Sequence, residues 1–292
     1  MKIGDRVNGI LIIDKPKNVT SRDVVNEVVK KFNIKKVGHT GTLDPLATGV
    51  LVICVGKATK LVIEITSTEK EYIASVTLGT KTDTLDSMGS ILFEEEVIKT
   101  KEEIINVLNS FKGSYEQEVP IYSAVKRNGK KLYEYAREGI DIELPKRIIE
   151  VKEIELLGDI EYKNNKTMFK FKCTVSKGTY IRSLINDIAT RLDTIGIMTN
   201  LRRIRQGSFK IEDSIKIEDI NENNIRSILD VLPYKKIELT DDIRKKVVNG
   251  ALVDNIYNEE YILFTENNEA IALYKKSDDK LKSYIMFKGG II

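Results

Sequence analysis

The 292 residues predict an α+β fold: an extended, mixed and mostly antiparallel sheet, followed by a small β-rich unit. Three observations carry this. Strand and helix patterns interleave without the steady β-α-β-α rhythm of a parallel doubly wound sheet. Two long strand-like stretches, 148–157 and 168–175, flank a Lys-Asn-Asn-Lys turn. After Leu232-Pro233 the pattern shifts to short strands around Gly250, which divides the chain into 1–233 and 234–292. About 150 residues per domain gives the same count of two.

Taken in order, residues 8–13 (NGILII) read as a buried strand closed by Asp14-Lys15-Pro16. Thr20-Ser21 then caps a helix whose apolar residues are Val24, Val25, Val28, Val29 and Phe32. A glycine-rich loop, 38–49, leads to a strand (50–55), a helix (58–65) and a strand (72–78). Thr100 and Glu103 form a capping box for the next helix. Asn128-Gly129 marks a hairpin, again followed by a helix. The clearest periodicity follows Gly178, where Ile181, Leu184, Ile185, Ile188, Ala189 and Leu192 share one face and Arg182 falls off the stripe. In the last part a helix (240–249) precedes strands at 261–264, 270–274 and 284–287.

Composition excludes several functions. Apolar residues make up 41% and charged residues 31%, as in ordinary globular enzymes. The longest apolar runs fall far short of the ~20 residues that cross a bilayer, and residues 1–10 lack a secretory apolar stretch. Both point to the cytoplasm. Cys54 and Cys173 lie inside apolar strands, as buried free thiols do, and fit a reducing compartment. One histidine, His39, and no C-x-x-C leave no zinc set, and no G-x-S-x-G elbow is present. Carboxylate chemistry is favoured.

The net charge of +3 says little, but its distribution says more. Charges balance after Tyr234, so the excess lies earlier, in stretches 30–36 (KKFNIKK), 126–137 (KRNGKKLYEYAR) and 202–210 (RRIRQGSFK). These read as phosphate-neutralising faces, with Tyr133 and Tyr135 interleaved for base stacking. Solvated lysine-rich faces are the ordinary alternative.

The densest segment is GHTGTLDPLATG, 38–49. Its glycine spacing fits neither G-x-G-x-x-G nor a P-loop. A lone Asp-Pro is ordinarily a turn. Here Asp44-Pro45 sits among glycines beside the only histidine, which suits a rigid loop presenting one carboxylate as nucleophile, base or metal ligand.

These residues carry a resemblance. GHTGTLDPLATGVL is similar to the catalytic loop of the TruB family of pseudouridine synthases. Further pieces follow in the family's order: NGILIIDKPKNVTS, GKATKL, KEYIASVTLGTKTDTLDSMG, YSAVKRNGKKLYEYAREGI, SKGTYIRSLINDIA and NLRRIRQGSF. The resemblance spans about residues 8–210, with one departure: Val119 precedes Pro120 where the family often has two prolines. It implies the pseudouridine synthase fold, a small PUA-like domain over 234–292, and conversion of uridine 55 in the tRNA T-arm to pseudouridine.

The resemblance also implies roles. Asp44 is the nucleophile, and Arg182 pairs with it, holding the carboxylate in place and ionised. Tyr72 stacks on the flipped base and helps move the C5 proton, while Tyr180 and Leu201 hold the nucleotide. His39 meets the RNA loop as the base leaves, and Lys60 meets a phosphate. No cofactor, metal, membrane or obligatory protein partner is implied, and a monomer is expected. Guide-directed RNA modification, a non-catalytic RNA-binding role and a carbohydrate-active enzyme stand as competing readings.

Overall fold

The computed structural model describes residues 7–288. The first six residues, part of the stretch read for a secretory signal, and the last four lie outside the described residues.

Strand β1 (Gly9–Lys15) leads to helix α1 (Ser21–Phe32). Thr20 caps that helix, as the sequence predicts, and Asp23, not foreseen, returns the contact to complete a capping box; Asn33 ends the helix in the left-handed region. The segment expected to be loop contributes two strands, β2 (Val37–His39) and the start of β3 (Thr48–Val55), so the loop itself shortens to 40–47. A 3₁₀ turn (Gly56–Leu61) runs into α2 (Val62–Thr66), and β4 (Lys70–Leu78) and β5 (Thr80–Thr82) follow. Next come β6 (Ile91–Glu94), α3 (Lys101–Asn109) with the expected Thr100/Glu103 box, and β7 (Gly113–Glu118).

The Asn128-Gly129 hairpin is present as β8 (Lys126–Arg127) and β9 (Lys130–Lys131), with α4 (Leu132–Arg137) behind it. The two long strands are β10 (Lys146–Lys163) and β11 (Lys166–Val175). Asn164 and Asn165 join them with positive φ at both positions, the tight-hairpin geometry that asparagine tolerates. After α5 (Ile181–Arg191), the stretch read as a basic face is a strand, β12 (Gly196–Gln206), with β13 (Phe209–Lys210) folded onto it.

These strands form one nine-stranded sheet in the order β1-β3-β12-β4-β11-β10-β7, with β2 on β3 and β13 on β12. Among the described residues its one parallel pairing of two strands is between β12 and β3, at Arg202–Thr48 and Arg203–Gly49. Gly49 is required there: its φ is +100°, and a Cβ would stand 2.2 Å from the Arg203 carbonyl oxygen. The third glycine of the loop therefore serves backbone packing rather than a phosphate cradle.

The remaining elements are α6 (Ile228–Val231), β14 (Lys235–Glu238), α7 (Asp241–Val248), β15 (Val253–Asp254), β16 (Tyr261–Glu266), β17 (Glu269–Ser277) and β18 (Lys280–Met286). They make a five-stranded sheet, β14-β16-β17-β18-β15.

Two cores meet across β1 and β3. Leu11, Ile13, Leu51 and Ile53 face α1 and α5 in the main core, while Ile10, Ile12, Val50, Val52 and Cys54 face Leu263, Leu273 and Phe287. Burial on both faces explains why these strands are apolar without alternation. The sheet's edge position and the helices behind it fix the 40–47 loop at one rim.

Candidate active site

The loop around Asp44 is held from all sides. Ser21 at the start of α1 both accepts from the Leu43 N–H and donates to the Leu43 carbonyl, at 2.9 and 3.1 Å. The Asn18 N–H donates to the Pro45 carbonyl at 2.8 Å, and the Ala47 N–H closes a turn onto the Asp44 carbonyl at 3.0 Å. Behind it, Arg203 donates to the Val50 and Gly41 carbonyls, and Gln206 donates to the Thr40 carbonyl and hydroxyl. Lys15, fully buried, donates to the carbonyls of Pro16, Val19 and Pro45. Desolvation pushes its pKa down to about 8, against the pull of Asp44.

Arg182 is buried, although its place off the apolar stripe also fits an exposed cation. Each guanidinium nitrogen has a separate acceptor: Nε the Asp44 carboxylate at 2.9 Å, Nη1 the Thr84 carbonyl and Nη2 the Tyr122 carbonyl, both at 2.9 Å. Arg182 thus joins three distant segments at one point. Leu85, beside Thr84, sits at φ 61°, a conformation that costs a branched residue energy and turns the Thr84 carbonyl into the site.

Asp44, Tyr72, Tyr180, Arg182 and Leu201 line one cavity of about 320 Å³, together with Tyr122 and Tyr133. That volume suits a small ligand or a single nucleotide residue. Tyr72 comes from β4 and Leu201 from β12, neighbouring strands in register at Leu201–Ala74. Tyr180 precedes α5 and is clamped by Gln117: the amide oxygen accepts from the Tyr180 N–H at 2.8 Å, and Nε2 donates to the Tyr180 carbonyl at 3.2 Å. Gln117 is fully buried and also donates to the Tyr115 hydroxyl, which contacts Asp187 on α5.

Sequence reasoning missed Gln117, Lys15 and Tyr122. A buried polar residue inside a strand looks no different from an exposed one on the same strand, and only the apolar context of Lys15 hinted at burial.

His39 stands apart from the cavity wall. It lies on β2, half-buried, with Nδ1 accepting from the Gly41 N–H at 3.4 Å. Burial lowers its pKa, and the positive charges of Arg22 and Arg203 add to the effect. Lys60 donates to the Met286 carbonyl, linking the 3₁₀ turn to the C-terminal sheet.

The 202–210 stretch departs from the phosphate-face reading. Arg202 pairs with Asp14 at 2.7 Å, Arg203 is buried on carbonyls, and Arg205 bridges Glu69 and Glu71. Its acids come from β1, from β4 and from Glu69 just before β4, invisible in the local sequence. Among the described residues no cluster of three or more His, Cys, Asp or Glu could hold a metal ion, and no helix is long and apolar enough to cross a membrane.

Comparison with known proteins places the chain in a family. Residues 29–181 match the family model for the TruB family pseudouridylate synthase N-terminal domain. The tRNA pseudouridine synthase B of Lactobacillus acidophilus is 42% identical over 281 residues, covering 92% of this chain and 95% of that protein. That of Bacillus subtilis is 40% identical over 288 residues, covering 92% and 93%. Among solved structures, a chain of a Cbf5-Nop10-Gar1 complex superposes with a TM-score of 0.69 at 26% identity, covering 99% of this chain and 87% of that one. A chain of an H/ACA RNP bound to a substrate RNA containing 2′-deoxyuridine gives 0.68 at 25% identity, covering 98% and 86%. On sequence and fold alike, the chain belongs to the TruB family of pseudouridylate synthases.

Proposed function

We propose that this chain isomerises uridine 55 in the T-arm of tRNA to pseudouridine, without a cofactor, using Asp44 as the nucleophile. The observation that carries this reading is the Asp44 carboxylate, gripped by a buried three-point arginine at the wall of a nucleotide-sized cavity. Likeness to tRNA pseudouridine synthase B over nearly the whole chain supplies the substrate class.

The chemistry fits one carboxylate. The C1′–N1 bond breaks, the uracil turns, and a C1′–C5 bond forms; the C5 proton leaves, N1 gains a proton, and no atom is lost. The target base must leave its stack to reach the cavity, at a few kcal/mol. Tyr72 stacks on it and helps move the C5 proton, while Tyr180 and Leu201 hold the nucleotide. Asp44 attacks the sugar or the base, and either route needs the carboxylate aimed, as the fixed guanidinium arranges. His39 meets the RNA loop from beside the catalytic segment. Residues 234–292 form a PUA-like domain, and the enzyme works as a cytoplasmic monomer on tRNA alone.

The test is tritium release from a tRNA transcript labelled at C5 of uridine. Wild type should release about one equivalent per tRNA (one C5 hydrogen leaves per isomerised base), and Asp44→Asn none while still binding tRNA. Turnover by the Asn variant overturns the nucleophile assignment. A wild type that binds but never turns over naked transcript favours assisted modification, in an assembly such as the Cbf5-Nop10-Gar1 complex.

A further inference from the structure

Arginines sort into two groups. Among the described residues, all but Arg22, Arg137 and Arg147 donate to a protein oxygen. Two of the three without such a partner lie at the catalytic cavity. Arg137 lies over the ring of Tyr133 at 5.1 Å and Arg147 over the ring of Tyr180 at 5.6 Å, and both rings line the cavity. Arg22 adjoins Ser21, which fastens Leu43 of the cavity wall.

Arg147 is the most confined of the three. It lies on β10 directly opposite Gln117 on β7. Directly opposed residues of antiparallel strands project to the same face, and successive residues alternate. Glu116, Glu118 and Glu150 therefore project to the other face, where Glu116 already pairs with Lys146. None of these three acids shares the face of Arg147, and no ion pair of Arg147 is found among the described residues. The cation–π contact with Tyr180 occupies none of the guanidinium's N–H donors, which stay free to meet an anion. Gly178, at φ +81°, keeps the chain close: a Cβ there would stand 3.0 Å from Arg147 Nη1. Lys177, exposed and without a carboxylate partner among the described residues, adds a second positive charge to that turn.

We propose that Arg147 is a phosphate-binding residue, taking the phosphodiester beside the nucleotide that occupies the cavity. This rests on the tRNA reading of the site. A flipped nucleotide keeps its backbone at the mouth, and a guanidinium anchored on a cavity-lining tyrosine meets that anion with paired N–H donors. Gln117 fixes the backbone of Tyr180 and Arg147 backs its ring, so base wall and phosphate contact form one unit.

The experiment compares wild type, Arg147→Met, Arg147→Lys and a remote charge control, Lys101→Met, on the same tRNA transcript, by C5 tritium release and by binding across a salt series. Arg147→Met should raise KM about tenfold, with the effect on KM rather than on kcat. Its plot of log affinity against log salt should be shallower by about 0.7–0.9, the loss of one phosphate contact. Arg147→Lys should keep the wild-type slope and recover part of the affinity, and Lys101→Met should match wild type. A wild-type KM and slope in Arg147→Met overturn the proposal. So does a loss confined to kcat, which makes Arg147 only a prop for Tyr180. Failure of wild type itself to turn over tRNA instead overturns the functional reading, so the two failures are told apart.

Discussion

Arg182 shows what a single buried side chain can fix. Its three nitrogens hold Asp44, Thr84 and Tyr122, from segments far apart in the chain. Lysine carries the charge but not the planar fork. Arg182→Lys should lower single-turnover rates on the order of 100-fold, about 2.7 kcal/mol of barrier, and lower Tm as well; rates within threefold of wild type would show the fork is dispensable. Lys15 offers a test by pH. Its folded pKa is about 8 against an ordinary 10.5, so between those values the unfolded chain binds more protons and stability rises with pH. The unfolding free energy of wild type relative to Lys15→Met should therefore climb from pH 8 to 10.5, measured by urea titration. Cys54 and Cys173, pushed up to about 12 by burial, act in the opposite direction above pH 9, but equally in both proteins.

At the scale of elements, legibility followed locality. The Thr20 cap, the Thr100/Glu103 capping box, the Asn-Gly hairpin and α5 could be read because their signals lie within a few residues of their effects. The Asp44 loop was legible for the same reason, while the pairing of Asp44 with Arg182 needed the family resemblance. β12 was misread because its partners are remote. Arg202, Arg203 and Arg205 answer Asp14, the loop carbonyls and the Glu69–Glu71 pair, all more than a hundred positions away. There the strand joins a partly exposed ion network in which Lys152 pairs with Glu69 and Lys172 with Glu71. Solvent screens such pairs, so their value lies in register more than in stability. Gln117 escaped notice because a polar strand residue gives no local sign of facing inward.

For the whole molecule, the C-terminal sheet is more than an appendage. It covers the second face of β1 and β3 through Leu263, Leu273 and Phe287. Residues 1–233 made alone should expose Ile10, Ile12, Val50 and Val52 and aggregate, with raised binding of a hydrophobic dye. A soluble, active 1–233 fragment would instead show that the two units are independent. The sheet order adds a constraint of its own. β12 lies between β3 and β4, which precede it by more than a hundred residues, so the central sheet stays split until residue 206 has been added. On the ribosome, β3 and β4 leave the exit tunnel as facing edges with an empty lane between them. Synthesis that stops before Gln206 yields a chain with two open, pairing-competent edges, so the arrival of β12 is itself the step that closes the central sheet.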